Sequence, residues 1–183
     1  MSDIKPEQSN EAKVIEKYNK VLIIDDELAL VHNMQDYLEN HQVGFASAEN
    51  AKAALELIET DLFDVIFCDI QMPEMNGLTF LETIRHKGIT TPVVFFSGFY
   101  EKDMLQVAMQ LGAFDFIEKP VTEETLIKVT ERATEYGLLQ RKIADIRDAK
   151  DSKQKKTLNE YKNKINQLVV RKFTAAHANR EEK

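Results

Sequence analysis

The sequence predicts an α/β fold, a doubly wound five-stranded parallel sheet with helices on both faces, continued by a C-terminal helical extension. Three observations predict it. Between residues 20 and 135, five short apolar runs alternate strictly with five helical patterns. The strongest runs are apolar at successive positions rather than at every second one, as strands covered on both faces require. Beyond residue 135 the strand signal stops, and apolar residues recur only at helical spacing.

The elements follow in order. Residues 1–19 form a lead-in, in which Asn10 could cap a short turn through Val14, Ile15 and Tyr18. Val21–Ile24 is β-branched and of strand length, and it ends at Asp25. Leu30, Met34, Tyr37 and Leu38 then mark a helix. Val43–Ala46 is a weaker strand, and Ala51, Ala54, Leu55 and Ile58 trace the second helix. Val65–Cys68 ends at Asp69. Leu78, Leu81 and Ile84 mark the third helix, with Gly88 where a C-cap is expected. Pro92–Phe96 ends at Ser97. Met104, Val107, Ala108 and Leu111 mark the fourth helix, with Gly112 beyond it. Phe114–Ile117 ends near Lys119. Thr122 caps the last helix, with Glu124 and Thr125 in its first turn and Leu126 and Val129 on its apolar face. Crossovers between parallel strands are right-handed, which leaves few topologies.

Composition narrows the function classes. The chain has 183 residues, 43% of them hydrophobic and 30% charged, which suits one core-forming domain plus an extension. A single cysteine, Cys68, excludes an intramolecular disulfide, and no Cys/His set has zinc-finger spacing. No apolar run approaches the length of a membrane helix, and the first 20 residues lack a signal-peptide core, so a cytoplasmic setting is expected. The net charge of −7 hides a split. Residues 1–135 hold 11 basic and 25 acidic side chains, a balance of −14; residues 136–183 hold 13 and 6, a balance of +7.

In a doubly wound sheet the functional groups gather at the carboxyl ends of the strands. Those ends read Asp25-Asp26, Asp69, Ser97 and Lys119-Pro120. Carboxylates gathered so closely repel unless a cation sits among them. Hard oxygen ligands of this kind suit Mg²⁺, which uses few carboxylates and keeps several waters. Such an ion, with Ser97 and Lys119, could hold a phosphoryl group in transfer, with one carboxylate as nucleophile. Each residue alone has a plainer explanation as a cap or loop residue; four successive strand ends do not.

The segments Ile23-Ile24-Asp25-Asp26-Glu27, Asp69-Ile70-Gln71-Met72-Pro73 with Gly77, Phe96-Ser97-Gly98, and Gly112 through Pro120 together resemble the receiver domain of bacterial response regulators. The resemblance covers about residues 20–135. It implies a flavodoxin-like strand order of 2-1-3-4-5 and a role in two-component phosphorelay signalling. Asp69 would be the phosphoacceptor, fed by a sensor histidine kinase or phosphotransfer protein. Asp26, with Asp25 acting through water, would hold Mg²⁺ beside Asp69 and the Gln71 backbone carbonyl. Ser97 would bond the phosphoryl group and shift toward it, and Lys119 would pair with the phosphate across a cis Lys119–Pro120 bond. Phe116 occupies the place of the family's switching aromatic; without a hydroxyl, it would switch by ring burial alone. The output would be contact with a downstream protein target rather than catalysis.

Three rival functions remain. A metal-dependent phosphatase of similar fold would want an acid two residues after the nucleophile, and position 71 is Gln. A scaffold without phosphorylation would not need Asp25, Asp26, Asp69, Ser97 and Lys119 together. A nucleic-acid-contacting regulator rests on the basic tail alone, which lacks aromatic interleaving and a helix-turn-helix core, so DNA binding is not the favoured reading. Cys68 is expected in the core, and His32, His41, His86 and His177 lack a phosphodonor context.

In the tail, the fifth helix should run past residue 135, with Gly137 as a point of interruption. Leu139-Ile143-Ile146 and Leu158-Tyr161-Ile165-Leu168 form two heptad-like seams out of phase with each other. They need a partner surface. A homodimer through the fifth helix and the extension is the favoured partner, and fold-back onto the acidic receiver is the main rival. Disorder is expected over His177–Lys183.

Overall fold

The computed structural model describes residues 20–98, 102–146 and 152–178. The lead-in expected over residues 1–19 lies outside them. The elements alternate as β1 (Lys20–Ile24), α1 (Leu28–Asn40), β2 (Gly44–Ala48), α2 (Ala51–Thr60), β3 (Val65–Asp69), α3 (Gly77–His86), β4 (Val93–Ser97), α4 (Lys102–Gln110), β5 (Asp115–Glu118), α5 (Glu123–Asp145) and α6 (Ser152–Ala178). The strands form one sheet in the order β2-β1-β3-β4-β5, every pair parallel.

The alternating burial of side chains explains the two faces. Leu22, Ile24, Ile66, Cys68 and Phe95 point to one side, where Ala51 and Ala54 of α2, Phe80, Leu81 and Ile84 of α3, and Ala108 of α4 cover them. Val21, Ile23, Phe67, Val94 and Phe96 point to the other, against Val31, Met34 and Leu38 of α1 and Leu126, Val129 and Ala133 of α5. The three central strands are therefore buried along nearly their whole length. Each fully buried Leu, Ile or Phe contributes about 1.5–3 kcal/mol, which makes these strands the main source of stability. The edge strand β2 is half exposed and begins at Gly44, so Val43 precedes the strand it was expected to open.

Caps match the local sequence. Asn50, Asn76 and Thr122 accept hydrogen bonds from the backbone three residues on, at the starts of α2, α3 and α5. Gly88 and Gly112 take positive φ values of 78° and 85° just beyond α3 and α4, where the chain leaves a helix through a left-handed residue.

The tail departs from expectation in two ways. First, α5 continues unbroken from Glu123 to Asp145, through Gly137. Gly137 is no interruption: a side chain there would come within 3.2 Å of the Pro92 ring and 3.6 Å of the Asp64 carbonyl. Its small size lets α5 lie against the amino edge of the sheet. Second, the apolar seams are covered within one chain. Lys142 of α5 stacks over the Tyr161 ring of α6 at 5.6 Å, and Tyr136 and Gln140 share a cavity wall with Val169. Positions thus rise along α5 as they fall along α6, so the helices pack antiparallel. Leu139 and Leu168 are buried, and Ile143, Ile146, Leu158, Tyr161 and Ile165 are half-buried. The contact between α5 and α6 thus gives the seams a partner surface within one chain, as the fold-back alternative expected. The fold-back is onto α5 and the amino edge of β4, not onto the acidic carboxyl edge. Helix persists through His177 and Ala178, where disorder was expected; residues 179–183 lie outside the described part.

Candidate functional site

The sequence brings its polar residues to one edge because each buried strand must end where its backbone leaves the core. Asp25 and Asp26 follow β1, Asp69 ends β3, Ser97 ends β4 and Lys119 follows β5. Asp25, Asp26 and Asp69 each offer a carboxylate oxygen within 4.8 Å of the other two. Asp25 and Asp69 are buried, whereas Asp26 is open to solvent.

Lys119 is the cation of the cluster. Its Nζ donates to Asp25 Oδ2 at 2.9 Å and lies 3.3 Å from Asp69 Oδ1, with Glu27 Oε2 at 3.9 Å. Its ammonium also sits 5.2 Å from the centre of the Phe96 ring. Backbone amides hold both buried carboxylates in place: Glu27 N donates to Asp25 Oδ1 at 2.7 Å, and Gln71 N donates to Asp69 Oδ2 at 3.0 Å.

Among the described residues, one lysine faces these acids and does not balance them. Burial raises the Asp69 pKa; Lys119 pulls it down, and the Asp25 charge raises it further. Burial works against the Lys119 charge, but bonds to and the field of Asp25, then of Asp69, outweigh it, and its pKa is raised. The site is therefore short of positive charge. Its donors are all hard oxygens, and its open side is Asp26, so the residues fit a small divalent cation. Both Asp25 oxygens accept hydrogen bonds, and both Asp69 oxygens are engaged by Gln71 N and Lys119, which leaves the solvent-open Asp26 as the least committed of the three carboxylates.

Close packing behind Asp69 fixes its position. A side chain at Gly77 would meet the Asp69 carbonyl oxygen at 2.3 Å and the Phe95 ring at 2.9 Å. Only glycine lets α3 begin so near the end of β3. The Gly77 amide donates to the Ile70 carbonyl at 2.9 Å and closes the intervening loop.

Ser97 is buried at the end of β4, and its carbonyl accepts from Lys119 N at 3.0 Å, so hydroxyl and lysine are carried by neighbouring strand ends. The Lys119–Pro120 bond is cis. Phe116 lies half-buried on β5, its ring centre 6.3 Å from that of Phe95. Cys68 is fully buried, and its thiol donates to the Asp69 carbonyl at 3.1 Å. Burial, then Asp69 and Asp25, pushes its pKa well up, so it stays a neutral core group.

Two contributors escaped the sequence reading. Glu27 adds a fourth acid near Lys119; its place directly after Asp25-Asp26 was the available signal. Phe96 lies under Lys119, but as one apolar residue of a buried strand it carried no separate mark.

Comparison with known proteins agrees with this geometry. Residues 21–131 match the sequence profile of the response regulator receiver domain. The nitrogen assimilation regulatory protein NtrX of Azorhizobium caulinodans is 33% identical over 129 residues, covering 69% of this chain and 28% of the relative. A protein-glutamate methylesterase/protein-glutamine glutaminase of Treponema denticola is 33% identical over 172 residues, covering 90% of this chain and 45% of the relative. The chain thus spans less than half the length of these curated relatives. Among solved structures, the chemotaxis protein CheY4 of Vibrio cholerae superposes with a TM-score of 0.61 at 27% identity, covering 63% of this chain and 98% of that one. No helix among the described residues is long and apolar enough to cross a membrane. With the 2-1-3-4-5 sheet and the strand-end carboxylates, the profile match over most of the described core makes the chain a member of the response regulator receiver family.

Proposed function

We propose that Asp69 accepts a phosphoryl group from a phosphohistidine of a sensor kinase or phosphotransfer protein in the cytoplasm. The observation that carries this reading is the mismatch of charge: three carboxylates within 4.8 Å, two of them buried, against one ammonium, that of Lys119, among the described residues. Such a site gains when a divalent cation and a phosphoryl group arrive together. In the transfer, an Asp69 oxygen forms the new bond to phosphorus, and the phosphorus–nitrogen bond breaks with its electron pair going to the donor imidazole.

Asp26 and Asp69, the Gln71 carbonyl, and Asp25 through water are the residues that would hold Mg²⁺, which supplies charge neutralisation for the oxygens in transit. Lys119 is already aimed at Asp69 and would keep the phosphoryl oxygens paired afterwards. Ser97, one strand over, would donate its hydroxyl to the same group. In that movement Phe116 repacks against Phe95 and alters the face made by α4, β5 and α5, which a downstream protein reads. This makes the chain a signalling module rather than an enzyme with a substrate of its own.

The test is incubation with a small phosphodonor and Mg²⁺, followed by intact-mass measurement. One labile phosphate is expected on the natural chain and none on Asp69→Asn. Asp26→Ala should slow uptake and weaken Mg²⁺ binding. Normal uptake by Asp69→Asn would overturn the assignment.

A further inference from the structure

The strand-end carboxylates and the basic tail lie at opposite edges of the sheet. Asp25, Asp26 and Asp69 lie at the carboxyl ends of the strands, while α6 packs on α5 and shares a cavity wall with Arg85, Thr90 and Pro92 at the amino edge of β4. Within 153–169 of α6 there are five lysines, Lys153, Lys155, Lys156, Lys162 and Lys164, and one acid, Glu160. All five lysines are exposed. None forms an ion pair among the described residues, whereas Lys20, Lys87, Lys119 and Lys128 of the body each do.

Their placement around the helix is ordered. Leu158, Tyr161, Ile165 and Leu168 turn toward α5. At 3.6 residues per turn, the opposite face is a stripe of Lys156, Asn159, Asn163, Asn166 and Gln167. Lys155 and Lys162, two turns apart, flank it on one side; Lys153 and Lys164, three turns apart, flank it on the other. Over 153–169 the outward surface is thus a strip of amides between two rows of lysines, with exposed Glu160 standing in the row of Lys153 and Lys164 and no exposed apolar side chain among the described residues.

We propose that this face of α6 binds duplex DNA, lying in the major groove. The groove is about 12 Å wide and admits a helix, with phosphates on both sides for the flanking lysines and base edges opposite the amides. The strip carries no apolar anchor among its described residues, which disfavours insertion into a membrane or a tightly packed protein interface. The one aromatic side chain described in α6, Tyr161, faces α5 beneath Lys142, so among the described residues the strip offers no platform on which the bases of a single strand could stack. A-form RNA hides its major groove from side chains. The sequence reading set DNA aside for want of a helix-turn-helix core; the hairpin supplies the needed support, with α5 behind α6.

The test is fluorescence anisotropy of the full chain with a labelled random-sequence 20-base-pair duplex, at salt from 50 to 200 mM. Binding is expected with Kd between about 1 and 100 µM at low salt, weakening with a log–log slope of about −3.6 if four flanking lysines each meet a phosphate. The variant K153Q/K155Q/K162Q/K164Q should lose at least tenfold in affinity and most of the slope, with far-ultraviolet circular dichroism unchanged. If that variant does not fold, Lys162→Gln and Lys164→Gln separately should each flatten the slope by about 0.9. No binding by the natural chain at 50 mM salt, binding untouched by these variants, or tighter binding to single-stranded RNA would each overturn the proposal. So would salt-sensitive self-association without DNA that vanishes in the quadruple variant, since the lysines would then serve a second copy of the chain.

Discussion

The two ends of β3 carry the same chemistry to opposite purposes. Asp69 ends the strand at the carboxyl edge, and Asp64 precedes it at the amino edge; both side chains are buried, and burial is the leading cause that raises the pKa of each. Asp64 has a cation of its own: Arg141 of α5 donates to Oδ1 at 2.9 Å, and Lys20 N donates to Oδ2 at 3.3 Å. Its neighbour Asp61 takes the Lys20 ammonium. Asp69 instead shares Lys119 with Asp25, and Asp26 stands beside them. A buried carboxylate with a dedicated partner is a clamp, here holding the α5 extension to the sheet. A buried carboxylate in a group that outnumbers its cation is a site that stabilises incoming positive charge or gives up its negative charge to a covalent bond.

The largest expected effect lies at the carboxyl edge. Gly77→Ala should cost about 3 kcal/mol in a urea melt and suppress Asp69 phosphorylation, because the new methyl group would stand 2.3 Å from the Asp69 carbonyl oxygen. A loss below about 1 kcal/mol would show that α3 can slide away without harm. At the amino edge, Arg141→Met removes the partner of a buried carboxylate. Arg141 is half exposed, so we expect a cost of about 1–2 kcal/mol at pH 7, less than for a fully buried pair.

The pH dependence distinguishes that clamp from simple packing. Asp64 has a folded-state pKa raised above its ordinary value of 3.8. Its contribution to stability is fully present below that ordinary value, when the group is protonated, and is lost as pH rises through the folded pKa. The Arg141→Met penalty should therefore shrink as pH is lowered from 7 toward 4. A penalty independent of pH would reduce Arg141 to a packing role.

Asp69→Asn removes charge from the opposite end of the strand. Without added divalent cations it should stabilise the fold by about 1 kcal/mol, because it removes the cost of a buried charge and, secondarily, the repulsion with Asp25, which together outweigh the lost pairing with Lys119, while an amide oxygen still accepts from Gln71. Added Mg²⁺ should stabilise the natural chain more than the variant. The smallest effect is expected for Gly137→Ala. A free helix would gain about 1 kcal/mol from it. Contact with the Pro92 ring at 3.2 Å should cancel that gain.

These contrasts also mark what the sequence made legible. Buried parallel strands announce themselves as apolar runs, and their carboxyl ends place Asp25, Asp26, Asp69, Ser97 and Lys119 without reference to packing. Asp64 carried no such mark, because it stands before its strand and its partner Arg141 lies 77 residues away. Gly137 reads as a helix breaker in isolation; its use depends on Pro92, which sequence spacing does not connect to it. The seams of the tail were legible as apolar spacing. Their partner was not, since the same period serves a second chain or the preceding helix. The strip of amides and lysines on α6 became visible only once Leu158, Tyr161, Ile165 and Leu168 were known to turn inward.

The most direct measurement sets the two buried aspartates side by side. The natural chain, Asp69→Asn and Asp64→Asn are treated with a small phosphodonor and Mg²⁺, and the modified residue is mapped by peptide mass spectrometry. We expect one phosphate on Asp69 in the natural chain and in Asp64→Asn, and none in Asp69→Asn. Phosphate retained by Asp69→Asn, or lost in a folded Asp64→Asn, would contradict the assignment of chemistry to one end of β3 and clamping to the other.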